Sequence, residues 1–174
     1  LGLAPTTSTT VSLVLGDALA MALLEARGFT AEDFAFSHPG GNLGRRLLLK
    51  VENVMHSGND IPIVSTDTPI SETLLEISAK KLGMTTIKDD SGKLAGVFTD
   101  GDLRRVLDQN KDLKQTQISE VMTSLFRSIS ANALASEAAK IMQDNEIYSL
   151  VVLDNKQDLE GIITMHDLLK ANVV

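Results

Sequence analysis

The sequence contains no cysteine and no tryptophan among its 174 residues. Without cysteine the chain cannot form disulfides, use a catalytic thiolate or build a cysteine-based metal site. Aromatic residues make up only 3% of the chain, which leaves no stacking platform for single-stranded nucleic acid. The histidines and carboxylates show no metal-ligand spacing, so we predict no metal site.

Positive charge is also scarce, with 16 Lys and Arg against 23 Asp and Glu and a net charge of −7. No basic run exceeds two residues, which argues against a nucleic-acid surface. No secretory signal is visible, and the longest apolar stretch, residues 11–24, is interrupted by Asp17 and shorter than a bilayer requires. We therefore expect a cytoplasmic protein without a membrane partner, whose 43% hydrophobic residues suffice for a packed core.

A ten-residue pattern occurs twice, at residues 96–105 and 161–170. Each copy reads as a small apolar strand, a Thr, two spacer residues and an Asp that opens an amphipathic helix. Further upstream, the Val-Met entry at residues 54–55 returns at residues 121–122. The sequence thus predicts two similar units, each ordered strand, helix, strand, turn, strand, helix.

Apolar spacing and turn residues place the elements inside each unit. The helix of the first unit is predicted to bury Ile70, Leu74 and Ile77, and that of the second Leu134, Ala138 and Ile141. The strands that follow are predicted at residues 84–87 and 148–153. Polar turns at residues 89–93 and 154–158 should close two β-hairpins.

The repeated Thr and Asp allow two interpretations. A strand that runs into a helix N-terminus offers backbone N–H groups to a phosphate, and Thr99, Asp102, Thr164 and Asp167 stand where such a ligand would lie. Arg104 and Arg105 could add positive charge, which makes the first copy the better equipped of the two. The same spacing is also a capping box, in which Thr and Asp satisfy only their own helix start.

These repeats resemble a pair of cystathionine-β-synthase (CBS) motifs, with the Val-Met entry, the hairpin and the Thr-x-x-Asp ending as the matching features. The resemblance covers residues 51–174 and implies two βαββα motifs, 51–112 and 113–174, in one regulatory module. Clefts in such modules often hold adenine nucleotides. His56 and His166 lie within the motifs: for His56 we expect a surface or capping role, while His166 is either an exposed helix-start residue or a contact to a ligand.

Residues 1–50 have a different pattern. A helix is predicted from Val11 to Arg27, capped by the hydroxyl residues before it and closed by Gly28. Thr30 and Asp33 signal a second helix start, and the loop at residues 37–41 displays His38. The first helix has more apolar surface than a free-standing helix tolerates, so it should pack against residues outside this chain. The start at Leu1 without Met fits a segment of a larger protein.

Residues 1–10, 16–20 and 37–45 are similar to the end of the sugar isomerase (SIS) domain of D-arabinose 5-phosphate isomerases, which continue into a CBS pair. The implied fold class is α/β, with the end of an αβα SIS domain and a linker at residues 1–50. The resemblance implies a parent enzyme that interconverts D-ribulose 5-phosphate and D-arabinose 5-phosphate, needs no cofactor and forms a homo-oligomer, tetrameric in the family.

The same resemblance assigns His38 as the catalytic acid/base group, for which a neutral imidazole is suited. It makes Thr6, Thr7, Ser8 and Thr9 second-rank candidates for holding the substrate phosphate. The family's catalytic Lys and Glu precede Leu1, so the chain alone is expected to be inactive. Candidate effectors are adenine or cytidine nucleotides, CMP-Kdo among them. Two alternatives stay open: a nucleotide-sensing CBS module without catalysis, and a CBS pair used only for assembly.

Overall fold

The computed structural model describes residues 5–30, 33–34, 37 and 48–174. The chain divides into two compact units, Leu1–Leu47 and Leu48–Val174, which are described separately below. His38 and the glycines that follow it lie outside the described residues.

The first unit contains helix α1, Thr6–Ala26. The helix begins five residues earlier than the predicted Val11, and the expectation of hydroxyl caps ahead of it is wrong. The hydroxyls of Ser8 and Thr9 instead donate to the Pro5 carbonyl, one turn back within the helix. At the other end the prediction is confirmed, because Gly28 has a φ of +61° and its N–H donates to the Glu25 carbonyl.

Helix α1 has no buried residue in the structure. It is 21 residues long and contains an 18-residue window with a mean hydropathy of 1.5, so it is long and apolar enough to cross a membrane by length and composition. The helix is longer than the apolar stretch at residues 11–24 because it begins with five hydroxyl residues and ends with Glu25 and Ala26. The core helix of a soluble protein has the same length and composition, so this feature alone decides nothing about location.

The predicted capping box at Thr30 is confirmed. The Thr30 backbone N–H and hydroxyl each donate to Asp33 Oδ2 at 2.9 Å, and the Asp33 N–H donates back to the Thr30 hydroxyl at 3.2 Å. The hydrogen bond from the Thr30 backbone, with that from its hydroxyl, lowers the pKa of the Asp33 carboxyl below its usual value.

The second unit consists of two similar halves joined by short connections. Its strands are β1 (His56–Ser57), β2 (Ile63–Ser65), β3 (Met84–Lys88), β4 (Leu94–Thr99), β5 (Ser128–Ser130), β6 (Ser149–Leu153) and β7 (Leu159–Thr164). Its helices are α2 (Ile70–Lys80), α3 (Asp100–Asp108), α4 (Ala135–Asp144) and α5 (Met165–Lys170). Single 3-10 turns lie at Val51–Asn53, Gly58–Asp60 and Ile118–Glu120. The predicted order of strand, helix, strand, turn, strand, helix is confirmed in both halves.

The strands form two sheets, one ordered β2-β3-β4 and one ordered β1-β7-β6-β5. In each half the strand before the first helix, β2 or β5, pairs parallel with the strand after it, β3 or β6, and the hairpin strands pair antiparallel. The registers match, because Met84 faces Thr99 in the first hairpin and Ser149 faces Thr164 in the second. Equivalent residues of the two halves therefore occupy equivalent backbone positions.

Polar turns close both hairpins as predicted. The Asp89 carboxylate accepts hydrogen bonds from the hydroxyl and N–H of Ser91 and from the Lys93 N–H. The Ser91 hydroxyl and the Lys93 backbone lower the pKa of the Asp89 carboxyl. Asp154 performs the same role in the second hairpin by accepting from the N–H groups of Lys156 and Asp158.

The predicted buried face is confirmed for α2 and needs correction for α4. In α2 the prediction is confirmed, since Ile70 and Ile77 are buried and Leu74 packs beside them. In α4 it is wrong for one of three residues: Leu134 precedes the helix and is exposed, whereas Ala138 is buried and Ile141 packs partly buried against the core. The buried face is instead built of smaller residues at helical spacing, Ala135, Ala138, Ala139 and Met142.

Each half completes the core of the other half through its entry segment, which is defined as residues 51–57 in the first half and 118–123 in the second. Each entry segment begins with a 3-10 turn. Val51, from the first half, is fully buried in the core cluster of the second, and its N–H donates to the Ala133 carbonyl. Ile118, from the second half, is fully buried in the core cluster of the first, and its N–H donates to the Thr68 carbonyl. Leu48 and Leu49, just before Val51, are half-buried, and Leu49 packs on the same cluster.

The exchange brings backbone very close to the glycine in the middle of each final strand. A Cβ on Gly161 would lie 2.7 Å from the His56 carbonyl oxygen and 2.8 Å from Met55 Sδ. One on Gly96 would lie 2.9 Å from both the Thr123 carbonyl oxygen and Met122 Sδ. Glycine is required at both positions because another segment of backbone occupies the space of a side chain.

We expect Gly161→Ala to lower the free energy of unfolding by about 1–3 kcal/mol, the usual cost of overpacking, because the obstructing atom is backbone. The control is Gly101→Ala, whose added Cβ would meet its nearest atom, Thr99 Oγ1, at an ordinary 3.5 Å. Urea denaturation followed by circular dichroism measures both variants. Equal stability of Gly161→Ala and wild type would contradict the close approach.

Candidate functional site

Both repeated Thr-x-x-Asp segments are capping boxes. In the first, the Thr99 N–H and hydroxyl donate to Asp102 Oδ2 at 2.8 and 2.7 Å, and the Asp102 N–H donates back to the Thr99 hydroxyl at 3.4 Å. In the second, Thr164 makes the corresponding bonds to Asp167 at 3.0 and 2.5 Å, and the return bond is 3.3 Å. The capping interpretation is confirmed for both copies, so these side chains already have partners within their own helix starts.

The second carboxylate oxygen of Asp102 is also occupied. Asp102 is 2% exposed, and its Oδ1 accepts a hydrogen bond from the Thr123 hydroxyl at 2.8 Å. The Arg105 guanidinium donates to the same oxygen. Asp102 therefore ties together the strand end, the helix start and the entry segment of the other half.

His56 stands at the position in the first half that Thr123 holds in the second. Its Nε2 lies 3.1 Å from Asp167 Oδ1, and because a carboxylate only accepts, this nitrogen is the donor. The side chain is 33% exposed, so His56 is neither a plain surface residue nor a cap. Its hydrogen bond links the aspartate of the second capping box to the first half of the second unit.

A cleft of about 540 Å³ opens beside this second capping box. This volume is in the range of small-molecule sites. The first half contributes His56 and the end of α2 with the turn after it, and the second half contributes Tyr148 and most of α5. Its lining residues are His56, Lys80, Lys81, Leu82, Gly83, Tyr148, Thr164, Met165, His166, Asp167 and Lys170.

The structure places the predicted residues in several different environments. Thr164 and Asp167 line this cleft, whereas Thr99 and Asp102 do not. Arg104 and Arg105 are exposed on α3, Arg105 being paired with Asp102. The candidates Thr6, Thr7, Ser8 and Thr9 are exposed at the start of α1. His38 lies outside the described residues, so its role stays a prediction.

Sequence analysis missed the basic residues of the cleft, Lys80, Lys81 and Lys170. Lys80 and Lys81 lie outside the repeated ten-residue pattern, Lys170 is its last residue in the second copy, and each reads as an ordinary helix-terminal lysine. Comparing the repeats position by position would have been informative, because Lys81 is matched by Glu146 and Lys170 by Arg105. Among the described residues no group of three or more His, Asp and Glu side chains could hold a metal ion.

The paired βαββα halves, their exchanged entry segments and the cleft between them define a CBS pair. The CBS domain family matches residues 51–109 and 118–173, and the chain belongs to this family. Over all 174 residues it is 61% identical to the arabinose 5-phosphate isomerase KdsD of Pseudomonas aeruginosa. It spans about half, 53%, of the length of that relative.

Solved structures agree on the fold. The CBS-domain protein ATU1752 from Agrobacterium tumefaciens is 30% identical, with a TM-score of 0.60 over 66% of this chain and 85% of that one. CBSX2, solved in complex with AMP, is 22% identical, with a TM-score of 0.62 over 71% of this chain and 95% of that one. At 22% identity the second comparison shows the fold alone.

We expect Asp102→Ala to lower the free energy of unfolding by about 1–3 kcal/mol, because it leaves the Thr99 N–H and the Thr123 hydroxyl without their acceptor. The matched control is Asp108→Ala, at the exposed end of the same helix, which should stay within about 0.5 kcal/mol of wild type. Urea denaturation compares the two. If both substitutions lower the free energy of unfolding equally, Asp102 does not stabilise the junction between β4 and α3.

Proposed function

We propose that this chain is the C-terminal regulatory part of an arabinose 5-phosphate isomerase. The observation that carries the proposal is 61% identity to KdsD along the whole chain, including the residues before the CBS pair. The proposed boundaries are the end of a SIS domain with a linker at residues 1–50, and CBS motifs at 51–112 and 113–174. The uncovered apolar surface of α1 supports a catalytic domain that packs on it.

In this proposal the parent enzyme interconverts D-ribulose 5-phosphate and D-arabinose 5-phosphate, the entry to Kdo for lipopolysaccharide, in the cytoplasm and as a homo-oligomer. His38 moves the proton between C1 and C2 through an enediol intermediate. A neutral imidazole both accepts and returns a proton near physiological pH, which is what such an isomerisation requires. No cofactor takes part in this chemistry.

For the parent enzyme we expect His38→Ala to lower kcat by roughly 10²–10⁴-fold with less effect on KM, the usual loss on removal of a positioned acid/base group. Lys140→Ala, on the exposed face of α4, is the control and should leave kcat unchanged. The 174-residue chain alone should show no turnover. An unchanged kcat in His38→Ala would show that this residue takes no part in the mechanism. Turnover by the 174-residue chain alone would contradict the proposal that it is the regulatory part of the enzyme.

The CBS pair is proposed to bind a small-molecule effector, a nucleotide or nucleotide-sugar, in the cleft next to Asp167. The AMP bound to CBSX2, a protein of the same fold, supports this ligand class. The cleft offers Tyr148, which is 81% exposed, to a base, together with lysines for a phosphate. Because Thr164 and Asp167 are engaged in their cap, the charged groups around them are proposed to supply the affinity.

Calorimetric titration of the chain with AMP, ATP and CMP-Kdo tests the sensing role. We expect saturable binding of at least one of them, and weaker binding of adenosine and cytidine, because the uncharged nucleosides give the lysines no partner. Adenosine and cytidine are matched controls for base stacking without charge. If no nucleotide binds the folded chain at millimolar concentration, the sensing role is wrong and an assembly role takes its place.

A further inference from the structure

The cleft beside Asp167 has an excess of cationic side chains in a chain of net charge −7. Lys80, Lys81 and Lys170 line it with two histidines, against the single carboxylate of Asp167. Within the part of the chain that the structure describes, neither Lys81 nor Lys170 has a carboxylate within ion-pair distance. Lys80 donates only to the backbone carbonyl of Asn59. Unneutralised lysines around a concave surface focus positive potential on it.

Unlike its equivalent Arg105, Lys170 makes no ion pair with the aspartate of its own helix start among the described residues. His56 Nε2 bonds Asp167 Oδ1, the oxygen that corresponds to the Asp102 oxygen bound by Arg105 in the first half. There the entry segment contributes only the neutral hydroxyl of Thr123. Arg105 shares that Asp102 oxygen with Thr123, whereas Asp167 has the His56 imidazole and no bond from Lys170 among the described residues.

At the other equivalent positions the first copy of the site has acidic or uncharged residues in place of those that line the basic cleft. Lys81 corresponds to Glu146, and both residues have left-handed φ values, 61° and 54°, so their backbones match. Met165 corresponds to Asp100, and the cleft residue His166 to Gly101. The positions equivalent to the basic cleft thus bear three carboxylates, Asp100, Asp102 and Glu146, and one arginine that is already paired.

We propose that the CBS pair binds its anionic ligand in one cleft only, with Lys81 and Lys170 holding a polyanionic group such as a diphosphate. The equivalent positions of the first half repel such a group. This inference rests on the proposed effector role and specifies where the charged part of the effector lies. It reverses the expectation that Thr99, Asp102 and the two arginines form the better-equipped half.

Inorganic pyrophosphate is the probe, because it tests the charged group without reference to any base. Calorimetric titration of the 174-residue chain at low ionic strength should give one site per chain. Lys81→Glu and Lys170→Glu should each weaken binding roughly tenfold or more, since each reversal replaces an attraction by a repulsion at close range. Both side chains are exposed, and Glu146 shows that glutamate is accepted at the backbone geometry of Lys81.

Lys140→Glu is the matched control: it makes the same charge change on α4, outside the cleft, and should leave affinity within about twofold. Glu146→Lys should not weaken binding, since this residue is outside the basic cleft. Circular dichroism verifies that each variant is folded.

Absence of saturable pyrophosphate binding, two equal sites per chain, or an equal loss in Lys140→Glu and Lys81→Glu would each overturn the single-cleft assignment. The outcome is separable from that of the effector proposal. If pyrophosphate binds as expected but no nucleotide does, the cleft assignment stands and the nucleotide class is wrong. If nucleotides bind two per chain, or Lys81→Glu does not affect them, sensing stands and the single-cleft assignment falls.

Discussion

The reciprocal exchange of entry segments is the constraint on which the rest of the CBS pair depends. Val51 is buried in the core of the second half and Ile118 in that of the first, each held by backbone hydrogen bonds to its host. Neither half can fill its own core, because the apolar residue it needs belongs to its neighbour. The two motifs therefore form one packed unit, and the approach of the exchanged backbone leaves room only for Gly96 and Gly161 in the final strands.

The same exchange sets the chemistry at the two strand-to-helix corners. Each entry segment ends at an aspartate of the opposite half, where Thr123 meets Asp102 and His56 meets Asp167. One aspartate accepts from a hydroxyl and an arginine, while the other accepts from an imidazole, and the lysine of its helix makes no ion pair among the described residues. A near-symmetric backbone thus holds an asymmetric set of charges, and the described cleft lies on the basic side.

Capping and ligand binding are separate tasks in this fold. The Thr and Asp of each motif satisfy one another and position the helix, so their presence alone carries little information about a ligand. Residues other than the Thr and Asp, chiefly Lys81, Lys170 and Tyr148, differ between the halves and give the cleft its chemical character.

The sequence by itself determined the two repeats, the order of their elements, both hairpin turns and both capping boxes. These features depend on local signals, namely apolar period, turn residues and the spacing of Thr and Asp. Residue 134 and the first turn of α1 were misjudged because helix ends and the buried face of an alanine-rich helix depend on packing. Only the tertiary structure decided which half each entry segment completes, and hence that His56 pairs with Asp167 and that Lys81 and Lys170 share a cleft. Those contacts join residues far apart in the chain, and no local pattern encodes them.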